Sequence, residues 1–492
     1  MPPTPKYFSL RDPSLLRGEA YINGEWQNSD SNATLNIVNP ANNERIHTVA
    51  CCGTNETRRA ILAAEQARKP WQKKTAQERA RMLRRIYELM IEHQEDLAQI
   101  LTLEQGKPLA EARAEIAYSA SYFEWFSEEC KRLYGDTIPS TDDNKRIIVT
   151  KQGIGVVACI TPWNFPSAML GRKIAPALAA GCTVVCKPAS ATPLSANAIA
   201  VLAERAGVPA GVINMVCGLT QEIGAELSQH PLVRKLTFTG STHVGKKLMK
   251  QCATTIKRTS MELGGNAPFI VFDDAEMDEA IAGAMASKFR NTGQTCICSN
   301  RILVQDSIYD LFIEKLTAAV AQLRIGNGFT PQNTIGPLID KASADSVCGM
   351  IDEAVNAGAT IYCGGKRVDG LGNFVEPTIL GNVNHNMRVS KEEIFGPVAA
   401  VSKFSDEQEA ITMANDTEVG LAAYFYTRDI GRIWRISEAL DYGIVGVNEG
   451  IVSTEVAPFG GMKQSGNGRE GSKYGLDDYI EIKYVCMGGI NK

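Results

Sequence analysis

No apolar run in the 492 residues is long enough to cross a bilayer, which argues against a membrane span. There is no surplus of positive charge either. With a formal net charge of -4, electrostatics gives the chain no reason to bind nucleic acid or an anionic membrane. Its basic cluster, Arg79–Arg85, lies among apolar residues at helical spacing and reads as a solvated helix face. Histidine is scarce: His47, His93, His230, His243 and His385 form no HExxH, and the cysteines form no paired CxxC, so a zinc site has no support. Thirteen cysteines, an odd number scattered along the chain, argue against a disulfide framework. The N-terminal MPPTPKYFSLRDPSLLRGEA lacks an apolar core and carries Asp12 and Glu19, which speaks against a secretory or mitochondrial signal and leaves a cytoplasmic location as the expectation. Internal repeats and low-complexity linkers are also missing.

What is there suits an ordinary globular protein of two or three domains, at roughly 150 residues per domain; 44% of the residues are hydrophobic and 22% charged. Residues 21–50 are short and turn-punctuated, as in small antiparallel strands. Residues 56–133 place apolar side chains every three or four positions, as in RAILAAEQARKPW, which predicts amphipathic helices covering another layer. From Gly153 to Phe272, short apolar runs (GVVACI, CTVVCKP, INMVC, KLTFTG, APFIVF) alternate with helical patterns. That texture predicts crossover units on a parallel sheet covered on both faces. A second α/β series runs from about Ala275 to Asn448. The tail YIEIKYV alternates like a strand, suited to an edge within the chain or to another subunit's sheet.

Four segments carry candidate chemistry. FRNTGQTCICSNR (Phe289–Arg301) sets Cys296 and Cys298 in a polar, Gly-containing loop ahead of a strand; a cysteine is open to reaction there, although most intracellular cysteines only pack. MELGGNAPFIVF puts Glu262 just before a Gly-Gly turn, as a general base or as a solvated loop carboxylate. ACITPWNFP breaks a strand into a turn and offers the Asn164 amide at the carboxyl edge of a parallel sheet, where such sheets bind ligands; an Asn capping a turn fits equally. KLTFTGSTHVG reads as strand, turn and a helix from near Thr242, whose first N–H groups suit phosphate. With Gly240 and Gly245 as its only glycines, a plain strand–turn–helix junction fits it as well.

Together, TPWNFP, KPAS, FTGSTHVG, MELGGNAP, NTGQTCICSN, EEIFGPV and PFGGMKQSGNGREGSKYG stand in the order typical of the aldehyde dehydrogenase superfamily, which the chain resembles from YINGEW to its C-terminal strand. Within that superfamily it is most similar to succinate-semialdehyde dehydrogenases, through ASKFRNTGQTCICSN, VGVNEG and GREGSKYG. The resemblance implies an α/β fold: a Rossmann-like cofactor domain (1–133 and 153–261), an α/β catalytic domain (262–461) and a small β oligomerisation element (134–152 and 474–492), in a homodimer or homotetramer. It implies Cys296 as the nucleophile and Glu262 as the base that activates water and takes up the thiol proton. The Asn164 side-chain amide and the Cys296 N–H are implied as the oxyanion hole. For the cofactor it implies Trp163, Asn164 and Leu263 beside the nicotinamide, Glu393 and Phe395 at its ribose, Gly240 and Ser241 at the pyrophosphate, and Lys187 and Ser190 at the adenosine ribose. Ser190 stands where NAD-preferring relatives often carry Glu. With no carboxylate to repel a 2′-phosphate and with Lys187 near, NADP is expected and NAD is the alternative.

The same resemblance points Arg172 and Arg290 at the far carboxylate of succinic semialdehyde, with Ser453 or Thr454 completing the site; read from the residues alone, both arginines also suit structural ion pairs. It raises a redox reading of Cys298, a disulfide with Cys296 that would need backbone rearrangement, beside a plain packing role. The expected activity is NAD(P)-dependent oxidation of succinic semialdehyde to succinate. Glutarate semialdehyde or a broader aldehyde range is the near alternative. A cofactor-independent cysteine hydrolase, which would lack a histidine near the cysteine motif, and a non-enzymatic protein are the distant ones.

Overall fold

The computed structural model describes residues 8–370 and 372–491; the first seven residues of the segment read for targeting signals lie outside the described residues. The first of two large sheets is built on β1 (Val156–Ile160), β2 (Thr183–Lys187), β3 (Ile213–Met215), β4 (Val233–Thr239) and β5 (Arg258–Glu262). Their order is β3-β2-β1-β4-β5 and every pairing among them is parallel. The chain moves outward from β1 to β3 and then returns to the other side of β1 with β4. The order therefore reverses between β1 and β4, and the crevice outside their carboxyl ends is where such sheets take ligands. β1 is buried at every residue, which is why VVACI is apolar without alternation.

Helices pack over this sheet. The helix Ala76–Glu92 starts with a capping box, the Thr75 hydroxyl accepting from the Glu78 N–H and the Glu78 carboxylate from the Thr75 N–H. The helix Gln94–Gln105 ends at Gly106, whose φ of 93° is left-handed and suits a residue without Cβ. Pro108 then opens α1 (Leu109–Glu129). α1 packs along α2 (Ala168–Ala179), with Ile116, Ala120 and Phe123 meeting Leu170 and Ile174 in the largest buried cluster.

The second sheet holds β6 (Ala267–Val271), β7 (Ser299–Gln305), β8 (Thr378–Gly381), β9 (Val398–Phe404), β10 (Ala422–Tyr426) and β11 (Ile444–Val447). Their order is β8-β9-β7-β6-β10-β11, all parallel, with Thr360–Cys363 antiparallel at the β8 edge. The expected α/β architecture is thus present twice. Because β5 ends at Glu262 and β6 begins at Ala267, the carboxyl edge of one sheet faces the amino edge of the other. The C-terminal strand Ile480–Gly488 pairs within the chain, antiparallel to Lys145–Gly153, which also pairs with Asp136–Ile138. Ile482 and Tyr484 on this three-stranded sheet are exposed. Among the described residues, no helix is long and apolar enough to cross a membrane and no cluster of His, Cys, Asp or Glu is arranged to hold a metal ion.

Candidate active site

After the helix α3 (Met277–Phe289), Asn291, Thr292 and Gly293 have φ of 51°, 59° and 76°. Three left-handed residues in a row, one of them β-branched, persist only where surroundings over-determine them. They do so here. The Asn291 N–H donates to Glu111 (2.8 Å) and the Thr292 hydroxyl to the Gly336 carbonyl (3.1 Å). The Gln294 side chain donates to the Asn291 carbonyl (3.1 Å) and accepts from the Ile339 N–H (2.9 Å). Beyond Cys296, the Tyr424 hydroxyl on β10 donates to the Ile297 carbonyl (2.7 Å). A Cβ on Gly265 would stand 2.5 Å from the Cys296 carbonyl oxygen, so only glycine lets the β5–β6 connection pass so close. The outcome is a rigid loop that presents a half-buried Cys296.

Two cavities meet at that cysteine. One, of about 260 Å³, opens at the switch point between β1 and β4 and is lined by Trp163, Asn164, Gly240, Ser241, Glu262, Leu263, Glu393 and Phe395. The other, of about 20 Å³, is walled by Tyr118, Phe165, Met169, Arg172, Arg290, Ser453 and Phe459. Trp163 and Phe395 meet edge to face, their centroids 5.5 Å apart. Phe395 has a φ of 54°, a left-handed residue on the cleft wall. Lys187 and Ser190 stand one strand over, at and beyond the carboxyl end of β2. The buried Lys187 amine donates to the Pro188 carbonyl (3.2 Å), and the Ser190 hydroxyl lies 3.4 Å from that of Thr220. Burial pushes the Lys187 amine below its usual pKa.

The acid–base groups are held in unusual states by their surroundings. Burial pushes the Cys296 thiol up to about 12; Arg172 opposes this, and Glu393 and Glu262 add to it. A thiol so placed is protonated at neutral pH, so a base must take its proton before it can attack. Burial and then Glu470 raise the Glu262 carboxyl well above the carboxylate range, against Arg172 and Lys173; neither Glu262 oxygen makes a hydrogen bond among the described residues. Burial likewise lifts Glu393 to about 8, and its Oε1 makes no hydrogen bond among the described residues. A buried acceptor left open on the wall of a cleft fits a ligand bearing hydroxyls, as a ribose does. Asn164 spends one N–H on the Gln294 carbonyl (3.0 Å) and accepts from the Phe165 N–H (3.1 Å), which leaves its other amide N–H without a partner among the described residues.

Cations dominate the narrow cavity. Arg172 is buried on α2 and shares the Glu470 carboxylate with Lys173, and two cations on one carboxylate leave a net positive charge. Its guanidinium carbon lies 4.2 Å from the centre of the Phe459 ring, and its Nη2 makes no hydrogen bond among the described residues. Arg172 therefore has a structural partner as well as a place on the cavity wall. Arg290 lies over the Phe165 ring at 5.0 Å. Of the two neighbouring hydroxyls, Ser453 lines the cavity, whereas that of Thr454 is 3.3 Å from Glu455. The buried Cys298 donates its S–H to the Lys288 carbonyl (3.3 Å), and burial raises its pKa too.

Sequence reading did not single out Lys107, Glu111, Glu115, Tyr118, Lys173 or Glu470, all of which bear on the site. One signal was present: Glu111, Glu115, Tyr118 and Tyr122 recur at helical spacing and share the face of α1 turned toward the loops at Asn164 and Asn291.

Residues 26–485 match the model of the aldehyde dehydrogenase family. The chain is similar to the glutarate-semialdehyde dehydrogenase of Pseudomonas putida, 59% identical over 478 residues, which are 97% of this chain and 99% of that one. It is equally similar to the succinate-semialdehyde dehydrogenase (NADP(+)) of Escherichia coli, 59% identical over 479 residues, again 97% and 99% of the two chains. A solved structure described as an E. coli NADP-dependent enzyme matches with a TM-score of 0.97 at 59% identity, covering 98% of this chain and 100% of its own.

Proposed function

The chain belongs to the aldehyde dehydrogenase family, and from that premise we propose that it oxidises succinic semialdehyde to succinate with NADP as the acceptor. The observation that carries the substrate is the pair of guanidinium groups, Arg172 and Arg290, on the wall of the narrow cavity that ends at Cys296. An aldehyde entering there meets the nucleophile at one end and positive charge at the other, which favours a carboxylate-bearing substrate. Glutarate semialdehyde, named in an equally similar relative, offers the same two groups one methylene further apart. The motifs ASKFRNTGQTCICSN, VGVNEG and GREGSKYG, which resemble those of succinate-semialdehyde dehydrogenases, favour the four-carbon substrate.

The overall change converts aldehyde, water and NADP(+) into acid, NADPH and a proton. NADP(+), when bound in the wider cleft, supplies the hydride acceptor. Glu393 would hold the nicotinamide ribose, with Trp163, Leu263 and Phe395 packed at the ring. Gly240 and Ser241 lead into the helix Thr242–Cys252, whose first N–H groups suit the pyrophosphate. Lys187 and Ser190 would hold the adenosine ribose; with no carboxylate at residue 190, a 2′-phosphate would meet no repulsion there.

In this chain the ionised fraction of Glu262, a stronger base for its raised pKa, takes the Cys296 proton, and the thiolate bonds to the carbonyl carbon. The free N–H of Asn164 and the Cys296 N–H receive the charge that develops on oxygen, a single such donor being worth about 3–4 kcal/mol. The oxidised acyl group remains as a thioester on Cys296. Once Glu262 has passed that first proton to solvent, it draws a proton from water, which attacks the thioester and releases the acid; the departing thiolate then takes the proton back from Glu262. The three-stranded sheet with Ile482 and Tyr484 exposed supports a role in homo-oligomer assembly.

The test is the rate of NADPH formation with succinic semialdehyde, glutarate semialdehyde and an uncharged aldehyde of similar length, each repeated with NAD. The expected order of kcat/KM is succinic, then glutarate, then uncharged, with NADP ahead of NAD. An uncharged aldehyde that outruns both semialdehydes contradicts the substrate assignment.

A further inference from the structure

The loop carrying Trp163, Asn164 and Phe165 is fixed from behind by two buried charges that take no part in the chemistry above. Lys107, 1% exposed, donates from Nζ to Glu115 Oε2 (2.6 Å) and to the Asn164 main-chain carbonyl (2.8 Å). The other Glu115 oxygen accepts from the Ser167 N–H (3.0 Å) and the Ala168 N–H (3.2 Å). The ion pair thus grips the loop at Asn164 and again where α2 begins. Asn291 places a side-chain N–H on the same Asn164 carbonyl (2.9 Å), which ties this loop to the one that presents Cys296.

Phe165 extends the connection to the other end of the substrate. The Lys107 ammonium is 3.8 Å from the centre of its ring, and the Arg290 guanidinium carbon 5.0 Å from the same centre. Attraction between a cation and the ring's quadrupole is directional and strengthens where water is excluded, so each cation helps to orient the ring and the ring orients each cation. We propose that the buried Lys107–Glu115 pair is a positioning element of the active site, aligning the Asn164 amide with Cys296 at the aldehyde end and, through Phe165, setting Arg290 at the carboxylate end. This rests on the roles given above to Asn164 and Arg290. The physical need is plain: a substrate gripped at both ends reacts only if both grips hold it in register, and a displacement near 1 Å costs about 100-fold in rate.

The test uses the full-length enzyme and two variants, Lys107→Met and Lys107→Met/Glu115→Gln. The single variant leaves a lone buried carboxylate and is prone to misfold. The double variant removes both charges and keeps the Gln oxygen as acceptor for Ser167 and Ala168, so it carries the test if the single one is insoluble. Thermal midpoint and circular dichroism report on the fold. The expected result for a folded variant is a kcat lowered roughly 10- to 100-fold with both succinic semialdehyde and an uncharged aldehyde, from misalignment of the oxyanion donor. A rise in KM should appear with the semialdehyde alone, from the loosened Arg290. A folded variant with a lowered thermal midpoint but wild-type kcat on both aldehydes and wild-type KM overturns the proposal, since that is the signature of a purely structural pair. If the wild type shows no preference for the semialdehyde, the substrate reading falls separately, and kcat with the uncharged aldehyde still decides the positioning role.

Discussion

Replacing Cys296 by Ala is expected to lower kcat for aldehyde oxidation by on the order of 10⁵-fold or more, the scale seen when an enzyme that works through a covalent intermediate loses its nucleophile. Cys296 is the point where the two cavities meet, so no other thiol is placed to serve both the aldehyde and the cofactor cleft. Cys298, two residues on, is buried against the Lys288 carbonyl, and Cys298→Ala should leave kcat near the wild-type value. The check is NADPH formation under saturating substrate, with cofactor binding measured separately by titration. Cofactor binding should survive in Cys296→Ala, because the cleft wall from Trp163 to Phe395 is otherwise untouched. Substantial residual turnover in Cys296→Ala would mean the oxidation does not pass through this sulfur.

Arg290→Met should lower kcat/KM for succinic semialdehyde by roughly 100- to 1000-fold, the consequence of stranding a desolvated carboxylate opposite a neutral side chain. With an uncharged aldehyde the same change should do little. Arg290 is a cleaner probe than Arg172. Arg172 also shares Glu470 with Lys173, and it pulls down the pKa of both Glu262 and Cys296. Its removal would therefore raise both groups further and slow every aldehyde, charged or not. Equal losses with charged and uncharged aldehydes in Arg290→Met would remove Arg290 from the carboxylate end.

The parts of this molecule legible in its sequence are those where one physical demand dominates a short stretch. Strands covered on both faces must be apolar throughout, so VVACI and FIV announce themselves, and the loops between them stand out as polar interruptions. Asn164, Glu262 and Cys296 were each ambiguous alone and became specific only as members of ordered motifs. Lys107, in the turn between two helices, and Glu115, on α1, did not stand out as buried because charged residues in turns and on amphipathic helices normally face water. Nothing local reveals that Lys107 reaches Asn164, 57 residues away, or that Lys173 reaches Glu470, 297 residues away. Spacing also leaves side-chain direction undecided between adjacent hydroxyls, and only the fold sets Ser453 on the cavity wall and Thr454 against Glu455. The C-terminal strand posed the same kind of question, since alternation makes an edge without naming its partner; Lys145–Gly153 of the same chain supplies it.

The most direct test of the account is to catch the acyl group on its sulfur. In Glu262→Gln at alkaline pH, hydroxide takes the Cys296 proton in place of Glu262, so acylation proceeds while hydrolysis lacks the base positioned to activate water. Rapid acid quenching of that variant with succinic semialdehyde and NADP, followed by peptide mass spectrometry, should find a succinyl thioester on Cys296, in step with the first NADPH formed and with Cys298 unmodified. NADPH formed without an acyl group on Cys296, or an acyl group found on Cys298 instead, would contradict it.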